Sequence, residues 1–120
     1  MTHRRAGCDI ASLERVARLR KRYDATFLAE VFTPSELARS DSELAMAFAV
    51  KEAFLKAVGT GSVAGMPLRN VEVALAEGAA EIRVTGALTA VMRLFKVDAR
   101  SRIHNGHAVA TVILSPRAHG

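Results

Sequence analysis

The chain has 120 residues, half of them apolar, and a formal net charge of +5 at pH 7. This length fits one domain, residues 1–120, and no apolar run approaches the roughly 20 residues needed to span a bilayer. Aromatic residues make up only 5% of the chain and tryptophan is absent. That composition argues against nucleic-acid modules, which stack bases on aromatic rings.

The N-terminal sequence and the cysteine content bear on the compartment. Residues 1–5 are basic, but no apolar stretch of the kind found in signal peptides follows them. Cys8 is the single cysteine, so no internal disulfide can form. We therefore expect a cytoplasmic protein that does not bind membranes.

The first predicted elements are a strand and a helix. Gly7–Ile10 is typical of the end of a short strand. Ser12 is suited to cap a helix, and apolar residues then recur at every third position, at Leu13, Val16 and Leu19. The other face of this helix is basic, since it carries arginines and one lysine.

The basic residues form a cluster: Arg15, Arg18, Arg20, Lys21 and Arg22. Such a concentration of charge attracts phosphate, nucleic acid or an acidic protein surface. The alternative is a solvated helix face with no partner, and charge by itself favours that alternative.

Three further helices are predicted before the middle of the chain. A short one covers Asp24 to Val31, and another begins at Thr33–Glu36, which is a capping box with proline at the first helical position. Asp41 or Ser42 is expected to cap the third helix, which continues into the most informative stretch of the sequence.

That stretch is Phe48–Gly61, FAVKEAFLKAVGTG, which is rich in strong helix formers. Phe48, Leu55 and Val58 give an apolar stripe at helical spacing. The helix should end at Gly59, because glycine readily adopts the left-handed cap conformation.

Two features of this stretch can carry chemistry. Glu52 and Lys56 lie four residues apart, on one face of the helix. Gly59, Thr60 and Gly61 allow backbone N–H groups to approach a ligand closely. Taken alone, the two charged residues are more often a surface ion pair of little energetic value.

In the second half of the chain the spacing of the apolar residues changes. Residues 71–75 and 81–84 alternate as strands joined by a turn at 76–79, and residues 87–95 return to helical spacing. Residues 101–114 read as two strands joined at Asn105-Gly106, a dipeptide suited to a type I′ turn. The predicted fold is α+β, with helices packed on a small antiparallel sheet.

Phe48-x-x-Lys51-Glu52-Ala53-x-x-Lys56-Ala57-x-Gly59-Thr60-Gly61, with Gly7-x-Asp9 upstream, resembles the signature of the holo-acyl-carrier-protein synthases. These are small 4′-phosphopantetheinyl transferases. The resemblance implies the phosphopantetheinyl transferase fold and a trimer with active sites at subunit interfaces. It also implies transfer of phosphopantetheine from coenzyme A to a serine of an acyl carrier protein, with release of adenosine 3′,5′-bisphosphate.

The resemblance assigns roles to individual residues. Asp9 and Glu52 are the implied ligands of Mg²⁺, an ion that prefers oxygen donors and shares its sphere with water or phosphate. Lys56 is placed to contact the pyrophosphate of coenzyme A or to help protonate the leaving group. His104 occupies the place of a histidine that contacts coenzyme A. Gly59, Thr60 and Gly61 are also expected to contact coenzyme A. The alternative role of His104 is that of a polar residue beside the Asn105-Gly106 turn.

The basic helix acquires a rationale from the same resemblance. Acyl carrier proteins are strongly acidic, and the family docks them through arginines of the first helix. Arg15, Arg18 and Arg22 are the matching residues here. Glu36 lies in a segment similar to the family's Phe-Thr-x-x-Glu, where it could orient a catalytic water, but its capping-box position already explains it.

The chain departs from the family pattern at two positions. Ala47 stands where arginine is common, and Ile103 stands where serine usually precedes the histidine. Arg69, His107 or another subunit would have to supply an anion contact in place of the missing arginine.

Two other functions stay open on these grounds. One is a non-catalytic module of the same fold that binds a carrier protein or coenzyme A. The other is a nucleic-acid-binding domain that uses the arginine-rich helix, for which steeply salt-dependent binding is expected.

Overall fold

The computed structural model describes residues 3–59 and 68–118. The helices are α1 Leu13–Arg22, α2 Ala25–Val31, α3 Pro34–Leu37, α4 Asp41–Val58 and α5 Thr89–Leu94. The strands are β1 Arg5–Ser12, β2 Val71–Ala76, β3 Ala79–Val84, β4 Phe95–His104 and β5 His107–Pro116. None of the helices in these ranges is long and apolar enough to cross a membrane.

The five strands form one antiparallel sheet in the order β1-β5-β4-β3-β2. Helix α4 lies across β1 and β5, and its packing against these two strands forms the centre of the core. The predicted α+β class, with helices on a small antiparallel sheet, is confirmed.

The N-cap of helix α4 lies one residue before the first of the two predicted caps. Ser40 is the N-cap: its Oγ accepts from the Glu43 backbone N–H at 3.2 Å, and the Glu43 carboxylate accepts from the Ser40 N–H at 3.3 Å. This reciprocal capping box explains why the expected caps, Asp41 and Ser42, lie inside the first turn. The helix ends at Gly59 with φ 84°, as predicted.

The burial of α4 exceeds the predicted stripe. Alanines at 45, 47, 49, 53 and 57 are all buried, so the helix contacts other elements on most of its surface. Small side chains allow the sheet and the other helices to approach its backbone closely. Glu52 and Lys56 lie on the part that remains accessible.

The caps of α1 and α3 agree with the sequence prediction, and Asp24, where the second helix was expected to begin, is the N-cap of α2. Ser12 accepts from the Arg15 N–H at 3.2 Å and Asp24 accepts from the Phe27 N–H at 3.0 Å. Thr33 and Glu36 form the expected capping box. These three side chains fix where α1, α2 and α3 begin.

In the last third of the chain the boundary between helix and strand differs from the prediction, since β4 was expected to begin at Ser101. The expected helix to Phe95 is shorter, because α5 has six residues and Phe95 already begins β4. Val97 and Ala99 face the core while their neighbours are exposed, which is the alternation of a strand. The turn at Asn105 and Gly106 has φ values of 48° and 74°, as a type I′ turn requires.

Candidate active site

Gly7 allows β1 to lie directly against α4. A Cβ at this position would come within 2.1 Å of the Ala53 carbonyl oxygen and 2.7 Å of the Ala57 nitrogen. Asp9 is two residues further along β1 and therefore points to the same face of the sheet, toward α4. The Gly-x-Asp sequence thus has a physical basis, since the glycine sets the distance at which the aspartate meets the helix.

Asp9 is paired with Lys56 of α4. The lysine Nζ donates to Asp9 Oδ1 at 2.8 Å and to the Cys8 carbonyl oxygen at 3.2 Å. The hydrogen bond and the charge of Asp9 raise the pKa of Lys56. Lys56 is therefore a permanent cation at neutral pH.

Glu52 lies on α4 one turn before Lys56 and is partly buried. Burial raises the pKa of its carboxyl group, and the nearby charge of Asp9 raises it further, while Lys56 opposes both effects. Two carboxylates thus share one ammonium group. The site has an excess of negative charge that a bound cation would relieve.

Asp9 and Glu52 both line one cleft, which has a volume of about 580 Å³. The remaining lining residues come from β1, α1, α4 and the start of β5: Ile10, Ala11, Ser12, Arg15, Val16, Leu19, Phe48 and His107. The two carboxylates, far apart in the chain, are therefore brought to the same place. Lys56 joins them through its ion pair with Asp9.

The donor set at this cleft fits a hard divalent cation held by few protein ligands. No group of three or more histidine, cysteine, aspartate or glutamate side chains with metal-binding geometry occurs within residues 3–59 and 68–118. Two carboxylates are nevertheless suited to Mg²⁺, which commonly takes one or two protein carboxylates and fills its other positions with water and phosphate.

The two histidines at the β4–β5 turn lie differently with respect to the cleft. His104 is exposed, and its Nε2 lies 3.3 Å from the Asn105 side-chain nitrogen. His107 lines the cleft, and its Nδ1 donates to the Asn105 carbonyl oxygen at 2.9 Å. Within one chain, His104 is not brought to Asp9 and Glu52. His107 reaches the cleft because it pairs across β1 and β5 with Ser12, which also lines it.

Ala47, where the family commonly has arginine, is completely buried in the core. A charged side chain in its place would therefore need a different local packing. His107 is one of the substitutes considered from the sequence, and it does face the cleft. Arg69 lies in a short 3-10 turn outside the lining of the cleft.

Four of the five clustered basic residues share one surface. Arg15, Arg18, Lys21 and Arg22 line a second cavity of about 570 Å³ together with Leu19 and Tyr23. Arg15 lines both this cavity and the cleft that contains Asp9, so the two are neighbours on the surface.

Arg20 points elsewhere. Its guanidinium group donates to Asp41 Oδ1 at 3.0 Å and to the Leu37 carbonyl oxygen. It therefore links α1 to the start of α4 and does not belong to the basic surface.

Glu36 has a structural role that the sequence indicated only in part. It is completely buried and accepts from Thr33 N–H at 2.9 Å, from Val73 N–H at 2.7 Å and from Lys51 Nζ at 2.7 Å. These contacts confirm its capping role, and the carboxylate is closed off from solvent.

Lys51 is the residue that sequence reasoning left without a function. Its Nζ donates to Glu36 and to the carbonyl oxygens of Val31 and Leu68, at 2.9 and 3.1 Å. Burial lowers the pKa of Lys51, and the charge of Glu36 partly offsets this effect. The buried ion pair connects α3 and β2 to α4 at the position next to Glu52.

Gly59 is the last described residue of the predicted glycine segment, and Thr60 and Gly61 lie outside the described residues. Arg5 of β1 donates to the Val58 carbonyl oxygen at 2.8 Å, beside this end of α4. The C-terminus of α4 is thus tied to the first strand.

The sequence model of the 4′-phosphopantetheinyl transferase superfamily matches residues 5–112. The chain therefore belongs to this superfamily. Among its curated relatives, the holo-[acyl-carrier-protein] synthase of Methylobacterium sp. strain 4-46 is 40% identical over 106 residues, covering 82% of this chain and 78% of that protein.

Solved structures of the same group share the fold. The crystal structure of the synthase from Neisseria meningitidis superposes with a TM-score of 0.78 at 31% identity, covering 92% of this chain and 97% of that one. The synthase from Helicobacter pylori, in complex with coenzyme A, gives the same TM-score at 26% identity, covering 92% and 99%. The family, the fold and the enzyme class predicted from the sequence are thereby confirmed.

Proposed function

We propose that this protein transfers 4′-phosphopantetheine from coenzyme A to a serine of an acyl carrier protein and releases adenosine 3′,5′-bisphosphate. The observation that carries the proposal is the meeting of Asp9, from β1, and Glu52, from α4, at one cleft beside the cation Lys56. The names of the relatives, and the coenzyme A bound by the H. pylori protein, support the choice of substrates.

Asp9 and Glu52 are the proposed ligands of Mg²⁺. Their mutual repulsion, which contributes to the raised pKa of Glu52, favours a divalent cation between them. When bound, Mg²⁺ supplies neutralisation of charge on the pyrophosphate oxygens. The carboxylates would hold the ion and so orient the substrate, and neither forms a covalent bond to the substrate.

Lys56 is proposed to contact the pyrophosphate. An ammonium group has three N–H donors, and two of them are occupied by Asp9 and Cys8. The third is available to a phosphate oxygen or to the departing nucleotide, where positive charge stabilises the developing negative charge. Its raised pKa keeps this charge in place at neutral pH.

The backbone at Gly59, Thr60 and Gly61 and the imidazole of His104 are proposed to contact coenzyme A. For His104 this requires a second subunit, because the residue lies away from the cleft of its own chain. A homotrimer with interfacial active sites meets that requirement. The exposed side chain of Ile10, which also borders the cleft, is consistent with a subunit contact there.

Arg15, Arg18 and Arg22 are the proposed docking residues for the acidic carrier. Arg18 is paired with Glu14 at 3.4 Å, but both side chains are highly exposed and such a pair is easily exchanged for another. Because Arg15 reaches both the basic cavity and the cleft, a carrier docked on α1 would present its serine to Glu52. The interaction should accelerate encounter and weaken with salt.

The proposal is tested by incubating the protein with coenzyme A, Mg²⁺ and apo acyl carrier protein. Mass spectrometry should find the carrier heavier by one phosphopantetheinyl group, and removal of Mg²⁺ with a chelator should stop the gain. Glu52→Gln should abolish turnover while circular dichroism stays unchanged, since it removes a charge but little volume. The exposed Glu30→Gln on α2 is the matched control and should retain activity.

A non-catalytic binding module is the second candidate, and the buried Ala47 in place of the family arginine is the observation that favours it. Calorimetric binding of coenzyme A with no mass gain on carriers from fatty acid, polyketide and peptide synthases would support this candidate. Salt-dependent binding of DNA or RNA without either result would overturn both. The proposed setting is the cytoplasm, where the single exposed thiol of Cys8 stays reduced.

A further inference from the structure

A cleft lies at the edge of the sheet where β3 separates from β4. The two strands pair only at Ala79 with Arg100 and at Ala80 with Ala99. From residue 101 onward this edge of β4 is therefore open within the ranges 3–59 and 68–118, and the β2–β3 turn stands beside it. The cleft has a volume of about 320 Å³ and is lined by Gly78, Arg100, Ser101, Arg102, Val109 and Thr111. None of these residues lines the cleft that contains Asp9 and Glu52, so this edge cleft is a separate site.

Two arginines make the edge cleft positive. Arg100 and Arg102 are alternate residues of β4, so their side chains leave the same face of the sheet about 7 Å apart. Arg102 has no ion-pair partner in the part of the chain that the structure describes. The Nε of Arg100 donates to Asp98 Oδ1 at 3.3 Å, but both side chains are highly exposed and such a pair is weak. Asp98 therefore offsets at most one of the two positive charges, and the terminal nitrogens of Arg100 stay available to a ligand.

Two hydroxyl groups complete the polar part of the lining. Thr111 lies directly opposite Arg100 on β5 and is exposed. The Oγ of Ser101 is buried and has no hydrogen-bond partner among the described residues. A buried polar atom without a partner is rare in proteins, because it has lost its bonds to water without replacement. A ligand in the edge cleft would supply the partner that Ser101 lacks.

The lining selects an anion with several acceptor oxygens. A carboxylate has one charge and two oxygens, whereas a phosphate monoester has three terminal oxygens and a charge of about −1.5 to −2 at pH 7. Two guanidinium groups match that charge and geometry. The volume corresponds to roughly ten water molecules, which leaves room for a small organic group beside the phosphate. Gly78 adds no obstacle, since even a Cβ at this position would meet nothing within 4 Å.

We propose that the edge cleft binds a small phosphate monoester. Arg100 and Arg102 contact the phosphate oxygens, and the hydroxyl groups of Thr111 and Ser101 donate to them. The inference does not depend on the proposed function, because the two clefts share no residue.

The test is a titration followed by NMR of the backbone amides, at constant ionic strength and without Mg²⁺. Inorganic phosphate and glycerol 3-phosphate should each shift the amides of residues 100–102 and 109–111, and the shifts should saturate with a Kd on the order of 1 mM. Acetate should bind at least about tenfold more weakly, since it carries half the charge. Equal affinities for acetate and phosphate, or shifts confined to the surroundings of Lys56, would overturn the inference.

A matched pair of variants tests the arginines. Arg102→Gln should weaken the binding of phosphate about tenfold or more, because it removes a charge-assisted contact. Arg83→Gln removes an exposed arginine of β3 that is already paired with Glu81, and its affinity should stay within about twofold of the wild type. Equal losses in the two variants would mean that phosphate responds only to net charge, which would also overturn the inference. Light scattering confirms that each variant keeps the oligomeric state of the wild type.

Ser101→Ala tests the buried hydroxyl. In buffer without phosphate its Tm should equal or exceed that of the wild type, because the variant removes a buried polar atom that has no partner. Its affinity for phosphate should nevertheless fall severalfold. A lower Tm with unchanged affinity would show that the hydroxyl is bonded within the protein and has no part in binding an anion.

Coenzyme A itself carries a phosphate monoester, so a competition experiment separates the two clefts. With coenzyme A and Mg²⁺ at saturation, phosphate should still shift residues 100–102. Loss of these shifts would assign the edge cleft to coenzyme A and overturn a separate site. Failure of the proposed function would appear independently, as the absence of any mass gain on the carrier.

Discussion

The native state disfavours the charged form of Glu52. Its pKa is raised by burial and by Asp9, so the native protein binds a proton at this site more strongly than the unfolded chain does. The free energy of unfolding therefore falls as pH rises through the interval between the ordinary pKa of glutamate and the raised value, and the deficit persists at neutral pH. A residue that destabilises the fold at the pH of function is typical of a ligand-binding site.

Glu52→Gln should therefore stabilise the metal-free protein at pH 8, with a Tm a few degrees higher, because the repulsion from Asp9 is removed. Mg²⁺ at ten times its Kd should stabilise the wild type by about 1.4 kcal/mol and leave Glu52→Gln unaffected. Thermal unfolding with and without Mg²⁺ measures both effects, and Glu30→Gln serves as the control. A lower Tm for Glu52→Gln, or an equal response of both proteins to Mg²⁺, would contradict the assignment of Glu52 as a ligand.

Lys51 and Glu36 form a completely buried ion pair in the core. Lys51→Met would leave the Glu36 charge uncompensated, and we expect a loss of about 3–5 kcal/mol in the free energy of unfolding. Combining Lys51→Met with Glu36→Gln removes the orphaned charge, and the amide oxygen still accepts from one of the two backbone N–H groups that bind the carboxylate, those of Thr33 and Val73. The amide NH₂ then faces the other N–H group, so the double variant should regain part of the loss.

Urea denaturation measures these free energies. Arg83→Met is the matched control, because it breaks the exposed pair with Glu81 and should change stability by less than about 1 kcal/mol. Additive losses in the double variant of Lys51 and Glu36 would show that the pair does not act as a unit.

The contact between β1 and α4 is the element-level feature on which the candidate site depends. Gly7→Ala would place a Cβ within 2.1 Å of a carbonyl oxygen of α4, so the strand and helix must separate. We expect a loss of about 3 kcal/mol or more and a weaker effect of Mg²⁺ on Tm, since Asp9 moves away from Glu52.

Gly78→Ala is the contrasting variant. Gly78 has φ +72° in the β2–β3 turn, and a Cβ there meets nothing within 4 Å. Its cost is therefore limited to the left-handed backbone, about 1 kcal/mol, with the response to Mg²⁺ unchanged. Similar losses in both variants would mean that close packing at Gly7 is unimportant. Chemical denaturation and Mg²⁺-dependent melting distinguish these outcomes.

The elements that the sequence predicts well are those with local signals. Capping side chains determine the starts of α1, α2 and α3, and the Asn105-Gly106 turn determines the last hairpin. The start of β4 was missed because Phe95 also continues the helical spacing of the preceding residues. Ser40 was missed because two neighbouring residues are equally good caps, and only the Glu43 contact distinguishes them.

The parts of the site that escaped prediction depend on long-range contacts. Lysine is usually exposed, so nothing local indicates that Lys51 is buried against Glu36 of another helix. His107 reaches the cleft through the pairing of β1 with β5, whose register a single sequence does not specify. The motifs around Asp9 and Glu52 resemble a family signature, and this resemblance indicated that the two residues lie at one site. Composition and periodicity could not indicate it.

At the scale of the whole molecule, one side of the sheet carries exposed apolar side chains. Ile113 of β5 alternates with Val112 and Leu114, which are buried against α4, so it points to the opposite face, where 37% of it is exposed. Exposed apolar surface of this kind is typical of subunit contacts. Ile113→Asp should reduce the proposed trimer to monomers in light scattering, whereas Leu94→Asp, at another exposed apolar residue, should not.

The trimer hypothesis makes a sharper prediction about His104. If each site combines Glu52 of one subunit with His104 of the next, Glu52→Gln and His104→Ala disable the same site from different chains. In a cyclic trimer that contains both variants, one of three sites then has both residues intact. Equal amounts mixed by unfolding and refolding should give mixed trimers in three cases of four, and thus about a quarter of wild-type activity. The mass gain on the carrier measures this recovery against each variant refolded alone. No recovery in mixtures that light scattering finds trimeric would mean that His104 acts within its own chain or not at all.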